Sequence, residues 1–425
     1  MSATVLTSHR SRLRVLSLVA MLAIVPLGYF SACSSGDDNG GGGSPPPGGS
    51  PPPGGGGPST ANQFAYVINA SDSEIRAYGF DADGNLAPLI NTLSTGLVPH
   101  HVNVDPQGKF VYVSNHESNF VSGYRLNADG SMVPMVPAIN GSPVTGTDPS
   151  ENQPHWSALD TSRQFLYVVS GHGASTLRAY SVDQTTGLLT FIAGQSFPVG
   201  THAHNVVVSP NNQFVYVASE VSGDVHAFSR NTSDGKLTSI GSVSGLNGAA
   251  AVAVDPASKF AYVSYFNSVE VFTIEANGAL TRILPTSTFA TGNAPHSLAM
   301  HPNGQFLYAA NLNTSTVTVF RVDPTTGVLT DIQTPSPATG TDPNFVIVHP
   351  NQKWLYTSDN VADVTSRYIL NADGTLGART TTATGNGAQG IGITQFPQEF
   401  GPASCVSTRE AGHSFHLQRF PVIKY

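Results

Sequence analysis

The 425-residue chain is poor in charge. Lys and Arg number 19 and Asp and Glu 27, so charged residues make up 11% of the chain and the net charge is −8. A typical soluble domain carries about 25% charged residues. The shortage excludes coiled coils and charge-laced helical bundles, which need Glu, Lys and Arg on their exposed faces. An acidic balance without a Lys/Arg run in the body excludes non-specific nucleic-acid binding, which needs cations against phosphate. Cysteine is nearly missing. Cys33 and Cys405 are the only two, so no disulfide framework staples the fold and its stability has to come from a large core.

Glycine and proline are abundant instead, at 43 and 30 residues. Some of them follow an export-type leader. Arg10, Arg12 and Arg14 precede the uncharged apolar stretch 15–30, which is short against the roughly 20 residues of a spanning helix. Phe30-Ser31-Ala32-Cys33 resembles the bacterial lipobox, which implies lipidation of Cys33 and attachment to the cell envelope through the lipid alone. A plain cleaved signal and an uncleaved anchor are the alternatives. The Gly/Pro-rich stretch that follows cannot bury apolar surface. The expected organisation is a signal peptide at 1–32, a tether at 33–61, one folded domain at 62–396 and a C-terminal extension at 397–425.

The folded domain is repetitive. A Phe-x-Tyr motif starts at Phe64, Phe110, Phe165, Phe214, Phe260 and Phe306, and recurs with Trp first at Trp354. Its spacings of 46, 55, 49, 46, 46 and 48 residues fall in the range of propeller blades. Before each motif except the first lies a short run alternating with period two, as in His101-Val102-Asn103-Val104. After it comes a strand with a central aromatic (Tyr78, Tyr124, Tyr180, Phe228, Phe272, Phe320, Tyr368) and then a Gly hairpin such as Asp129-Gly130. This pattern predicts an all-β, seven-bladed β-propeller of four-stranded antiparallel blades. The first repeat lacks an inner strand and the segment 387–394 is an unpaired one, so the C-terminal strand should complete the first blade and close the ring.

Strand direction then predicts a site. Inner-strand starts and second-strand ends lie on one face near the axis. The starts carry His100, His101, His155, His202, His204 and His296. The ends and the loops after them carry Asn115, His116, Glu117, Gly171, His172, Glu220, Asn311, Asp359 and Asn360. His301 and His349 fall at the other end of their strands. Three chemistries suit such a cluster. Ester hydrolysis needs a base for water and donors for the oxyanion; His204 with Glu220 is the expected base pair, with His155 and His296 as donors. A non-catalytic face for a ligand, glycan or protein partner is the second. A metal held by imidazoles is the third, although no H-x-x-x-H or C-x-x-C spacing supports it.

The pairs Pro99-His100, Pro154-His155 and Pro295-His296, the turn at 302–308 and the hairpin at 323–329 resemble the seven-bladed β-propeller lactonases, which include 6-phosphogluconolactonase and fungal carboxymuconate cyclase. The resemblance spans 62–396. It implies a lactone hydrolase acting on a small lactone or carbohydrate; a monomer without a cofactor or bound metal is expected. With the strand geometry the resemblance makes His155, His204 and Glu220 the catalytic candidates, and the geometry offers His100, His101, Glu117, His172, His202, His296 and Asn311 for ligand binding. Lactonase blades carry Pro-Arg-His at a strand start; here His202-Ala203-His204 stands there. The missing Arg argues against a phosphorylated sugar lactone, since Arg binds phosphate with two parallel hydrogen bonds.

Overall fold

The structure is a computed structural model that describes residues 63–135, 153–283, 285 and 287–395. The leader, Cys33, the tether, Cys405 and the extension 397–425 lie outside the described residues. What is described is all β-structure, in seven antiparallel sheets. Blade 1 runs Ala388–Gln395, Gln63–Asn69, Glu74–Phe80 and Leu86–Ser94, from the axis outward. The last strand of the described chain therefore pairs with the first, Tyr66 opposite Gly392, and closes the ring as the repeat count requires. Blades 2 to 7 begin with the inner strands Pro99–Val104, Pro154–Leu159, Ala203–Val208, Ala251–Val254, Pro295–Met300 and Pro343–Val348. Blade 5 departs from four strands: its outer edge is split into Leu280–Arg282 and Thr288–Ala290, both paired with Ser268–Ile274.

The core lies between blades. Its buried side chains fall into seven clusters, each built from two adjacent blades. The cluster that unites Tyr356 of blade 7 with Tyr78, Ile391 and Ile393 of blade 1 seals the ring. A four-stranded sheet cannot bury both of its faces alone, so the repeat is stable only when stacked.

The Phe-x-Tyr motif does more than fill this core. Gly130, in the hairpin of blade 2, has φ 81°, which L side chains rarely adopt. A Cβ there would also overlap the ring of Phe64 from blade 1. The Tyr66 hydroxyl of blade 1 donates to the Gly130 carbonyl at 3.0 Å. The same latch recurs at Tyr112–Gly187, Tyr167–Gly235, Tyr216–Gly278, Tyr308–Gly374 and Tyr356–Gly84, the last joining blade 7 to blade 1. Only the Tyr262 hydroxyl, among the described motif tyrosines, is buried without a partner.

Candidate functional site at the ring axis

Six of the seven inner strands open with a local irregularity that aims a side chain. In six blades the register against the second strand skips one residue: Gln389, His100, His155, His204, His296 and Asn344 in blades 1, 2, 3, 4, 6 and 7. Such β-bulges re-aim side chains at barrel and propeller mouths. Two residues before each bulge the backbone is left-handed, at Gly387, Val98, Gln153, His202, Ala294 and Asp342. The carbonyls of these residues accept the N–H that follows each second strand, from Ala70, His116, Gly171, Glu220, Leu312 and Asn360, at 2.8–3.1 Å. The repeat thus supplies six blades with one frame of three positions. Four of the six bulge positions hold histidine.

The result is a contiguous set of seven imidazoles. His155 lies 4.2 Å from His100, 4.5 Å from His204 and 5.3 Å from His202, measured between ring centroids. His204 lies 4.3 Å from His296. His172 stacks on His202 at 4.4 Å and meets His116 edge-on at 4.6 Å. His155 and His204 are almost fully buried and His172 is exposed. Among the described residues, no group of three His, Cys, Asp or Glu side chains is arranged to hold a metal ion.

Burial and mutual repulsion disfavour the charged form of His100, His116, His155, His172, His204 and His296. Burial pushes His100 down to about 3 and His116 to about 4, with the neighbouring histidines adding to both. His155 and His204 are held well below the ordinary imidazole value for the same reasons, and His296 and His172 are lowered too. Besides one another, these histidines feel the carboxyls of Glu220 and Asp342. The two carboxyls differ: the Glu220 carboxyl is lowered and that of Asp342 is raised by burial.

Glu220 pairs with a different histidine from the one expected. Its Oε2 accepts from His202 Nδ1 at 3.0 Å, and this bond holds the carboxyl below its usual range. The expected partner, His204, instead directs Nδ1 to the Ala250 carbonyl of blade 5 at 2.9 Å. The reason is the frame: His202 and Glu220 are joined through their backbones, whereas His204 is the bulged residue and turns to the next blade. His296 likewise gives its Nδ1 proton to the Asn344 carbonyl at 3.2 Å. A carbonyl only accepts, so Nε2 of each of these two rings is a lone pair. His296 therefore cannot donate to an oxyanion while neutral. His155 buries Nδ1 without a partner. An unpaired N–H costs more than an unpaired lone pair, so its proton belongs on Nε2 and the ring remains a donor.

Three other expected residues lie elsewhere. His101 follows the bulge and points down the channel, where it stacks on Trp156 at 4.0 Å beside Phe345. These rings line an axial cavity of about 300 Å³ with Asn205 and Ser297. Asn311 is wholly buried inside blade 6, its amide donating to Thr316 and Thr318. Glu117 is exposed and joins no histidine. Ala203, aligned in sequence with the lactonase Arg, stands where other blades have the strand-opening Pro and is wholly buried. His301 and His349 accept turn N–H groups from Asn303 and Asn351, the duty that Asp105, Asp160 and Asp255 perform in other blades.

The family model described as "Lactonase, 7-bladed beta-propeller" matches residues 58–341. The chain belongs to that family. Among solved structures it is similar to the periplasmic gluconolactonase PpgL of Pseudomonas aeruginosa, with 18% identity and a TM-score of 0.63, covering 79% of this chain and 100% of that one. A putative 6-phosphogluconolactonase of Bacteroides fragilis has 22% identity and a TM-score of 0.56 over 68% of this chain and 84% of that one. Hydrazine synthase of Kuenenia stuttgartiensis has 17% identity and a TM-score of 0.54 over 75% and 92%. At these identities the likeness is one of fold, and a fold hosts many chemistries. Among curated proteins, none matches this chain. The family match stops short of blade 7, which the structure nevertheless builds on the same frame, with Asp342 and Asn344 in the positions of His202 and His204.

Proposed function

We propose that this propeller hydrolyses an uncharged lactone at the histidine cluster, with His202 as the base and Glu220 as the residue that positions it. The observation that carries this is the 3.0 Å contact of His202 Nδ1 with Glu220, combined with a His202 Nε2 that is buried and has no partner. With Nδ1 donating to the carboxylate, the lone pair falls on Nε2, the state a general base requires. Water would give a proton to Nε2 as its oxygen attacks the lactone carbonyl. His155 Nε2–H would donate to the resulting oxyanion. The intermediate collapses by breaking the ring C–O bond; the leaving oxygen takes up a proton and a hydroxy acid results. The Glu220 carboxylate beside His202, and Ala203 in the place of the lactonase Arg, favour a substrate without phosphate.

The likeness to a gluconolactonase makes D-glucono-1,5-lactone the natural first substrate, with its 6-phosphate as the contrast. The full chain should open the neutral lactone faster than buffer does and prefer it to the phosphorylated one. Glu220→Gln and His202→Asn should each lower kcat about 100-fold, the usual scale of a lost general base. Wild-type turnover equal to the buffer rate, or full activity in Glu220→Gln, would overturn the proposal. Saturable binding without turnover would place the site among binding modules instead.

A further inference from the structure

The described residues hold several buried carboxylates, and nearly all have structural work. Asp160 is paired with Arg230 at 2.7 Å, Asp255 accepts three turn N–H groups, and Glu270 accepts from Arg282, Ser287 and Thr288. Asp359 is bonded to Gly340, Thr357 and Ser366. Asp342 is different. It is partly buried, yet its carboxylate makes no hydrogen bond or ion pair with a described residue; only its backbone carbonyl is engaged, by Asn360 N–H.

Its place in the frame is telling. Asp342, with φ 66°, is the blade 7 counterpart of His202 in blade 4, with φ 54°. Asn360 stands where Glu220 stands, but its amide is taken by Gln389 of blade 1 at 2.7 Å, so no described residue claims the carboxylate. Blades 4 and 7 are three places apart in a ring of seven, on opposite sides of the axis. His296 of blade 6 lies between, subject to the charge of Glu220 and of Asp342 alike.

We infer that Asp342 is a second catalytic carboxylate, the acid that gives a proton to the leaving ring oxygen of the lactone. This rests on the reaction proposed above. As the C–O bond breaks, the O–H proton of Asp342 passes to the departing alkoxide and the carboxylate is left ionised; the proton taken by His202 from the attacking water returns through solvent to recharge it. Water and lactone become the hydroxy acid with no other reactant. Burial raises Asp342 above the ordinary carboxyl value while the His202 bond lowers Glu220, the divergence that separates an acid from a base. His296 is the titratable group that acts on Asp342, and it opposes the rise.

The test compares two leaving groups in the full chain. D-glucono-1,5-lactone leaves an alkoxide, which needs protonation; dihydrocoumarin leaves a phenolate, which needs it far less. Asp342→Asn should lower kcat about 100-fold on the first and less than 10-fold on the second, and Asp342→Glu should restore part of the loss. Equal losses on both substrates, or none, would overturn the inference while leaving the lactonase proposal standing. An inactive wild type would remove both. Independently of activity, Asp342→Asn should lower the imidazole titration point of His296 followed by NMR; an unmoved His296 would show that the carboxylate does not face the cluster.

Discussion

At the blade seams, six of the seven motif tyrosines find a glycine carbonyl on the next blade. At the axis, His116, His155 and His202 each bury a ring nitrogen with no partner. Both regions are made of repeated positions, and the repeat treats them in opposite ways. The seam positions carry nearly the same residue in every blade and satisfy it. The axial positions carry Gln, His, Asn or no bulge at all, and leave polar atoms open. Buried polar groups without partners are expensive, so a fold that satisfies its seams and tolerates open nitrogens at its axis has stability in one place and binding capacity in the other.

Acidification should break the axis before it breaks the seams, and this is the largest effect expected. His100 and His101 are held at about 3 and His116 at about 4, against an ordinary 6.5. Between those values the unfolded chain takes up protons that the folded chain refuses. Stability is therefore intact above about pH 6.5 and falls progressively as the pH drops toward 4. Urea midpoints measured from pH 7.5 to 4.5 should fall steadily, and the fall should be shallower in His101→Phe. A flat profile would show that the cluster carries no burial penalty.

The seams should respond to loss of single partners. Arg230 joins blades 3 and 4 by donating to Asp160 at 2.7 Å, to the Tyr167 hydroxyl at 2.7 Å and to the Asn212 carbonyl at 2.8 Å. Arg230→Met leaves the Asp160 charge buried and should cost about 3–5 kcal/mol. Arg230→Met with Asp160→Asn should recover much of it, as seen in denaturant midpoints. The smallest effect makes the sharpest comparison. Tyr66→Phe should cost about 1–2 kcal/mol by stranding the Gly130 carbonyl, whereas Tyr262→Phe, whose hydroxyl has no partner, should cost close to nothing. Equal losses at Tyr66 and Tyr262 would mean that the latch is packing rather than hydrogen bonding.

Much of the fold was legible because its signals are local. Period-two alternation marks strands, Asp-Gly and Asn-Gly mark hairpins, and the missing inner strand of the first repeat announces the closure seen between Gln63–Asn69 and Ala388–Gln395. The seven-membered histidine cluster was legible in outline, since strand direction places its members on one face. Its pairings were not. The sequence offers His202 and His204 equally to Glu220, and the bulge decides between them. Asp342 was overlooked for the same reason. Aligning the residue two places before each bulge would have set it beside His202, but the bulge is a one-residue register shift that no composition or period reveals.

The sequence by itself determined the number of blades, their order, the closure and the face on which histidines gather, because each depends on short-range periodicity and turn chemistry. Tertiary structure decided which imidazole keeps its lone pair, which carboxylate is free and which rings sink into the channel. Those outcomes depend on where a side chain is aimed. A bulge turns the side chain of the residue it leaves unpaired, and the neighbouring blade then supplies or withholds the partner that fixes its proton.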